Sequence, residues 1–256
     1  MKLETLIFDV DGTLADTERD GHRPAYNAAF RDAGLPWDWD VDLYGRLLAV
    51  TGGKERIRHY IDHCRSEFRR PDDLDGFIAE LHAVKTRHFT ELVRGGAIPL
   101  RPGVERLLRE ARDEGLRLAI ATTTTPENVE ALLETALGAD ALRWFDFIGA
   151  GDVVSAKKPA PDIYQHVIEA MDIVPGQGLA FEDSGNGVLA ARAARIRTVV
   201  TVNGYTNGQD FSGAVLVLDH LGEPGMPCRA QVGQPLLDGE TFVTVPVLRH
   251  VHGIDP

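Results

Sequence analysis

"LETLIFDVDGTLADTE", residues 3–18, decides the fold and poses the chemical question. Its apolar run ends at Phe8, and Asp9 and Asp11 follow one residue apart, with Gly12 and Thr13 behind them. The run reads as a buried strand over Thr5–Asp9. Carboxylates at the end of a core strand are costly unless a charge meets them, so the rest of the chain must supply one. Residues two apart on a strand share a face, which lets Asp9 and Asp11 address one ligand. Gly12 lets the chain turn out of the strand.

Working outward, the block from about Arg19 to Gly95 reads as helix. "GHRPAYNAAFRDAG" is amphipathic and ends at Gly34, while "GGKERIRHYIDHCRSEF" and "DDLDGFIAELHAVKTRHFTELVRGG" carry apolar residues at spacings of three and four, and the latter stops at a glycine pair. From Arg101 the pattern changes to alternation. "PGVERLLREARDEG", "PENVEALLETALG", "PDIYQHVIEAMDI" and "GNGVLAARAARI" read as helices. Between them "LRLAIATT", "FDFIGAGD", "GLAFED", "RTVVTV" and "AVLVLDHL" read as strands. Continuous apolar strands alternating with helices predict an α/β fold, with a Rossmann-like parallel sheet covered on both faces. The first strand belongs to that sheet although the helical block separates it from the rest. The expected organisation is a catalytic core of residues 1–15 and 96–256, with a helical cap domain of 16–95 inserted after the first strand. Residues from about 222 onward form an extension with one expected hairpin turn at Asp238-Gly239 and no assigned role.

Composition narrows the partners. The chain has 256 residues, 43% hydrophobic and 26% charged, with a net charge of −12. An acidic chain lacks the basic face that duplex binding needs, so no nucleic-acid partner is expected. No stretch approaches the roughly 20 apolar residues of a membrane span, and the N-terminal apolar run is too short for a signal peptide. Cys64 and Cys228 fit no metal spacing. A cytoplasmic monomer is the expectation.

Ligands bind such sheets at the carboxyl ends of the strands. The first strand ends in Asp9 and Asp11, "LAIA" in Thr122-Thr123-Thr124-Thr125, and "GLAF" in Glu182-Asp183-Ser184, while Lys157-Lys158 follows the strand near Ile148. Clustered carboxylates require a cation, and carboxylate oxygens suit Mg²⁺, which shares its shell with phosphate. A carboxylate beside a bound phosphate can attack phosphorus to form an aspartyl phosphate, with a lysine on the equatorial oxygens. A second carboxyl can protonate the leaving oxygen and later deprotonate water. The threonines offer a strand-end hydroxyl and amides near a helix start, an anion site, or alternatively a helix N-cap before Pro126. One lysine of the pair should face the site.

Two rivals fail on spacing. In an EF-hand frame with Asp9 and Asp11 at positions three and five, Ile7 occupies position one and a strand precedes the loop; a calcium-binding non-enzyme is therefore the weaker reading. In "TGGKER" a P-loop would need glycine where Leu48 stands and Ser or Thr where Glu55 stands. The remaining readings for that stretch are a distal phosphate site, formed by Thr51, Gly52 and Gly53 at a helix start with Lys54 and Arg58 four apart, or a surface basic helix. Glu18 and His22, also four apart, either face substrate hydroxyls or pair on a helix surface.

These residues resemble the four motifs of the haloacid dehalogenase superfamily. Asp9-Val10-Asp11-Gly12-Thr13, "AIAT" ending at Thr122, Lys158-Pro159-Ala160-Pro161-Asp162 and Glu182-Asp183-Ser184 match in order and spacing, and the match extends to about residue 220. The resemblance implies Asp9 as nucleophile, Asp11 as general acid/base, Thr122 and Lys158 as phosphate holders with Thr123 and Thr124 beside the substrate, and Mg²⁺ on Asp9, the Asp11 backbone carbonyl, Asp183 and Glu182. Within the superfamily the chain is similar to the β-phosphoglucomutase-like group. "DTERDGHR" and "TGGKER" resemble the CbbY-type sugar-bisphosphate phosphatases associated with the Calvin cycle. The implied substrate is xylulose 1,5-bisphosphate. A phosphosugar mutase uses the same core and stays open as the alternative. A dehalogenase is disfavoured, because Asp11 is not needed for attack on carbon.

Overall fold

The computed structural model describes residues 1–233, 237 and 239–253. Seven strands form one sheet in the order β3-β2-β1-β4-β5-β6-β7. Its strands are β1 (Thr5–Phe8), β2 (Arg117–Ala121), β3 (Phe147–Gly149), β4 (Gly178–Glu182), β5 (Arg197–Thr201), β6 (Leu216–Leu218) and β7 (Ala230–Val232). The first six pair in parallel, and β7 runs antiparallel along β6. β1 and β4 are buried along their whole length, as expected where helices cover both faces of a parallel sheet. β1 sits in the middle, with β2 and β3 to one side and β4 to β6 to the other. The strand order therefore reverses at β1, and a crevice opens at the carboxyl ends there. In register Phe8 lies opposite both Ile120 and Phe181, which puts Asp9 level with Glu182 and places Thr122 and Asp183 one residue beyond it.

Between β1 and β2 the chain is helical. A π-helical turn, Glu18–His22, leads into α1 (Arg23–Asp32), followed by α2 (Val41–Leu47), α3 (Gly53–Cys64) and α4 (Leu74–Arg94). Asp40 and Asp73 cap α2 and α4 by accepting from Leu43 N and Gly76 N. Trp37, Trp39, Tyr26, Phe30, Tyr44 and Tyr60 pack into an aromatic core separate from the main one. The two passages that join this block to the sheet lie side by side. Ala15 bridges Leu100, Arg101 N donates to Leu14 O at 2.8 Å, and the buried Arg101 guanidinium donates to the carbonyls of Gly12, Thr201, Val202 and Asp219.

α5 (Val104–Asp113), α6 (Pro126–Leu137), α7 (Asp162–Met171) and α8 (Gly185–Ala193) cover the sheet. The region beyond 222, which the sequence left without elements, contributes β7 and α9 (Val245–Gly253). Val245, Leu248 and Val251 enter the main core, and Glu110 accepts from Val245 N at 2.8 Å. Asp238, half of the expected hairpin turn, lies outside the described residues. Among the described residues no helix is long and apolar enough to cross a membrane.

Candidate active site

A cavity of about 710 Å³ lies at the carboxyl ends of β1, β2 and β4, beneath the helical block. Asp9, Asp11, Thr122, Thr123, Lys158, Glu182 and Asp183 line it from the sheet side, and Glu18, Thr51 and Arg56 from the helices. Residues more than 140 positions apart thus meet: Lys158 Nζ donates to Asp9 Oδ1 at 2.7 Å and stands 2.6 Å from Glu182 Oε1. It also donates to Ala121 O at 2.9 Å. Lys157 turns away to Gly151 O and Asp152.

The electrostatics are crowded. Burial raises Asp9, the Lys158 ammonium lowers it, and Glu182 and Asp11 push it back up, leaving it at about 7. Asp183 is pushed well above the carboxylate range by burial first, then by Asp9 and Glu182. Oxygens of Asp9, Glu182 and Asp183 lie within 4.8 Å of one another, all buried. One ammonium, paired with Asp9 and Glu182, stands beside a cluster of three carboxylates. Glu182 Oε1 accepts from Tyr164 Oη at 2.5 Å as well as facing Lys158, while its buried Oε2 meets no donor among the described residues. Hard oxygen donors in excess of their counter-charge fit Mg²⁺. Two glycines make room for them. A Cβ on Gly12, at φ +83°, would fall 2.2 Å from Asp183 Oδ2, and one on Gly187 would fall 1.9 Å from Glu182 Oε2.

Asp11 stands apart from that cluster. Its Oδ1 accepts from Thr17 Oγ1 at 2.6 Å and faces His22 Nε2 at 2.8 Å. Burial would raise this carboxyl, but His22, Thr17 and Lys85 outweigh it and hold the group well below the usual carboxylate range. Its Oδ2 takes no donor among the described residues. His22 is buried against Phe89 and linked on its other nitrogen to Lys85 Nζ at 2.7 Å. Its position corrects the expectation of a substrate-facing residue: the π-helical turn points it at Asp11.

The distal-phosphate expectation divides. Thr51 and Glu18 line the main cavity, while Gly52, Gly53 and Thr124 line a small adjoining one. Lys54 and Arg58 do not reach either. They line a separate surface depression, where Lys54 pairs with Asp152 and Arg58 with Asp75. Arg56 takes the inward place instead. It is buried, it donates to Tyr44 Oη at 3.0 Å, it stands 4.0 Å from Glu18, and its Nε meets no acceptor among the described residues. Helical spacing was the available signal, since Arg56 shares a stripe with Tyr60 four residues on, and both are buried. Asn203 and Tyr205 were also missed. Asn203 donates to Asp183 Oδ2 at 2.7 Å, and Tyr205 lines the cavity against Tyr44. They lie in a turn after β5 that carries no motif of its own.

Known proteins resemble this arrangement throughout. The family model of haloacid dehalogenase-like hydrolases matches residues 3–195. The chain is 52% identical to the plasmid-encoded protein CbbY of Cupriavidus necator over 88% of each chain. It is 32% identical to a phosphorylated carbohydrates phosphatase of Thermotoga maritima over 78% of this chain and 85% of that one. A crystal structure of a CbbY variant from Rhodobacter sphaeroides, in complex with xylulose-(1,5)bisphosphate, superposes with a TM-score of 0.80 at 44% identity, over 87% of this chain and 96% of that chain.

Proposed function

The chain belongs to the haloacid dehalogenase-like hydrolases and is a phosphatase, and from that premise we propose that it is a Mg²⁺-dependent sugar-bisphosphate phosphatase acting on xylulose 1,5-bisphosphate. The observation that carries the substrate class is Arg56: a buried guanidinium, with one N–H unmatched, lining the same cavity as Asp9. A guanidinium is the natural fork for phosphate, so the cavity offers a cation for one phosphate at the helical side and a nucleophile for the other at the sheet. The ligand named for the Rhodobacter sphaeroides protein has that two-ended form.

The reaction runs in two steps. Asp9 attacks phosphorus as the bond to the sugar oxygen breaks, and Asp11 Oδ2, which takes up a proton when the negatively charged substrate enters beside it, passes that proton to the departing oxygen. Water then attacks the aspartyl phosphate, Asp11 takes its proton, and phosphate leaves. Thr122 and the Lys158 ammonium hold the phosphoryl oxygens. Asp9, Asp183 and Glu182 Oε2 are the groups that would hold Mg²⁺, which when bound neutralises the carboxylates and draws charge from the phosphoryl group. The helical segment 16–95 acts as a cap that closes the main cavity to bulk water during the first step, with Thr51 held to Asn186 at 3.1 Å on one side of the seam and Lys54 to Asp152 on the other.

The test is phosphate release from a panel of sugar mono- and bisphosphates with Mg²⁺, with isomerised product assayed in parallel. Xylulose 1,5-bisphosphate should be preferred by kcat/KM and should yield phosphate. Isomerised sugar phosphate without phosphate release would replace the phosphatase by a mutase.

A further inference from the structure

Asp11 lines a second space besides the main cavity. A small polar cavity of about 40 Å³ runs along the seam between the helical block and the sheet, with Asp11, His22 and Lys85 on one side and Thr124 and Asn128 on the other. Asn128 is 2% exposed. Its Nδ2 donates to Thr124 Oγ1 at 2.9 Å, and its buried Oδ1 meets no donor among the described residues. Turning the amide over exchanges the two atoms and still leaves one of them to be satisfied from the cavity. A buried amide atom without a partner costs about 1–3 kcal/mol, so its presence calls for one. Lys85 has donors to spare, because an ammonium carries three N–H bonds and His22 takes one. Asp11 Oδ2 is an acceptor.

A water needs about 10–15 Å³ of such space and two to four polar partners. This cavity meets both conditions, and it is far below the ~300–1,000 Å³ of ordinary ligand pockets. We propose that the seam cavity between Asn128 and Lys85 is a binding site for water that delivers the hydrolytic nucleophile to Asp11, a role that rests on the phosphatase reading above. The water donates one hydrogen to Asn128 and the other to Asp11 Oδ2, and accepts from Lys85. In the second step its oxygen forms the new P–O bond, the bond from phosphorus to the Asp9 oxygen breaks and returns its electron pair to that carboxylate, and the water proton moves to Asp11. Size makes the site selective. The seam cavity is too small for a sugar hydroxyl with its carbon chain, which reaches the phosphoenzyme only through the large cavity. That division favours hydrolysis over transfer to a second sugar.

Two measurements test the site. The first is a high-resolution crystal structure of the wild-type chain with Mg²⁺ and beryllofluoride. An ordered water bonded to the Asn128 side chain is expected, and a dry seam overturns the proposal. The second is rapid-quench kinetics of phosphoenzyme formation and decay with xylulose 1,5-bisphosphate. Asn128→Leu fills the cavity with a side chain that cannot hold water. It should slow decay at least about tenfold, the worth of roughly one hydrogen bond, and leave formation within about threefold, so that phosphoenzyme accumulates. Asn128→Ala leaves room for a further water and should restore decay. Equal slowing of both steps by Leu, or unchanged decay, contradicts the role. If Asn128→Leu does not fold, the crystal structure decides alone. A wild-type chain that forms no phosphoenzyme sinks the phosphatase reading instead, so the two failures are distinguishable.

Discussion

His22 Nε2 lies 2.8 Å from Asp11 Oδ1, and this contact fixes which proton His22 carries. Its other nitrogen faces the Lys85 ammonium, which can only donate. Nδ1 must therefore accept, and Nε2–H must point at Asp11. Burial pushes Lys85 down to about 8, against Asp11 and Glu18, which pull it up. The tautomer is locked while Lys85 stays charged. We predict that kcat/KM falls as pH rises through about 8, and that Lys85→Met removes this alkaline limb while lowering kcat about 10- to 100-fold. Stability has the opposite sign. The unfolded lysine keeps its proton to about 10.4, so between that value and about 8 the unfolded state binds more protons, and the folded state gains stability as pH rises. Thermal melts of wild type and Lys85→Met across this window check the sign. Parallel pH–rate profiles for the two proteins would disprove the lock.

Asp183 is held near two other carboxylates at a cost that a cation relieves. Asp183→Asn removes one like charge and keeps an acceptor for the Asn203 amide. Without metal this variant should melt about 2–4 °C higher than wild type, corresponding to about 1 kcal/mol. Mg²⁺ should raise the melting temperature of wild type and leave the variant unmoved, and the variant should have lost phosphatase activity. A variant that melts lower than wild type and still responds to Mg²⁺ would show that the cluster is not where the ion binds.

Arg56 and Arg58 are two residues apart and face opposite ways. Arg56→Ala should cut kcat/KM for the bisphosphate about 10- to 100-fold, the worth of a charge-assisted hydrogen bond, and cut that for sugar monophosphates much less. Arg58→Ala, which loses an exposed pair with Asp75, should change neither by more than about twofold. Lys54→Ala should likewise spare the bisphosphate preference. Steady-state kinetics on both substrate classes settle the assignment, and a bisphosphate-selective loss in Arg58→Ala would reverse it.

Much of this was legible in the chain because it rests on strong local signals. Apolar runs marked every parallel strand, although those at β3 and β6 were longer than the three-residue strands they became, and β1, β2 and β4 announced their chemistry at their ends. Asp9, Thr122 and Asp183 follow the last residues of β1, β2 and β4 directly, so locating the strands located the site. Other features depended on pairings that no spacing encodes. Lys85 meets His22 across 63 positions, through packing of α4 on α1. Asn203 reaches Asp183 from a turn whose form comes from its own side chain accepting from Tyr205 N and Thr206 N. The C-terminal helix was missed, although its buried Val245, Leu248 and Val251 recur at a spacing of three. In the helical block the sequence signal misleads about the face: charge and spacing point to Lys54 and Arg58, while Arg56 shares its stripe with the buried Tyr60.

The proposed mechanism stands on Asp9 carrying the phosphoryl group of a sugar bisphosphate. Quenching the wild-type chain during turnover of xylulose 1,5-bisphosphate in Mg²⁺, and mapping the labile phosphate by mass spectrometry, tests it most directly. Phosphate is expected on Asp9, formed fast enough to account for turnover, with neither phosphoprotein nor phosphate release in Asp9→Asn. Phosphate release by Asp9→Asn at the wild-type rate, or a phosphoryl group found on another side chain, would contradict it.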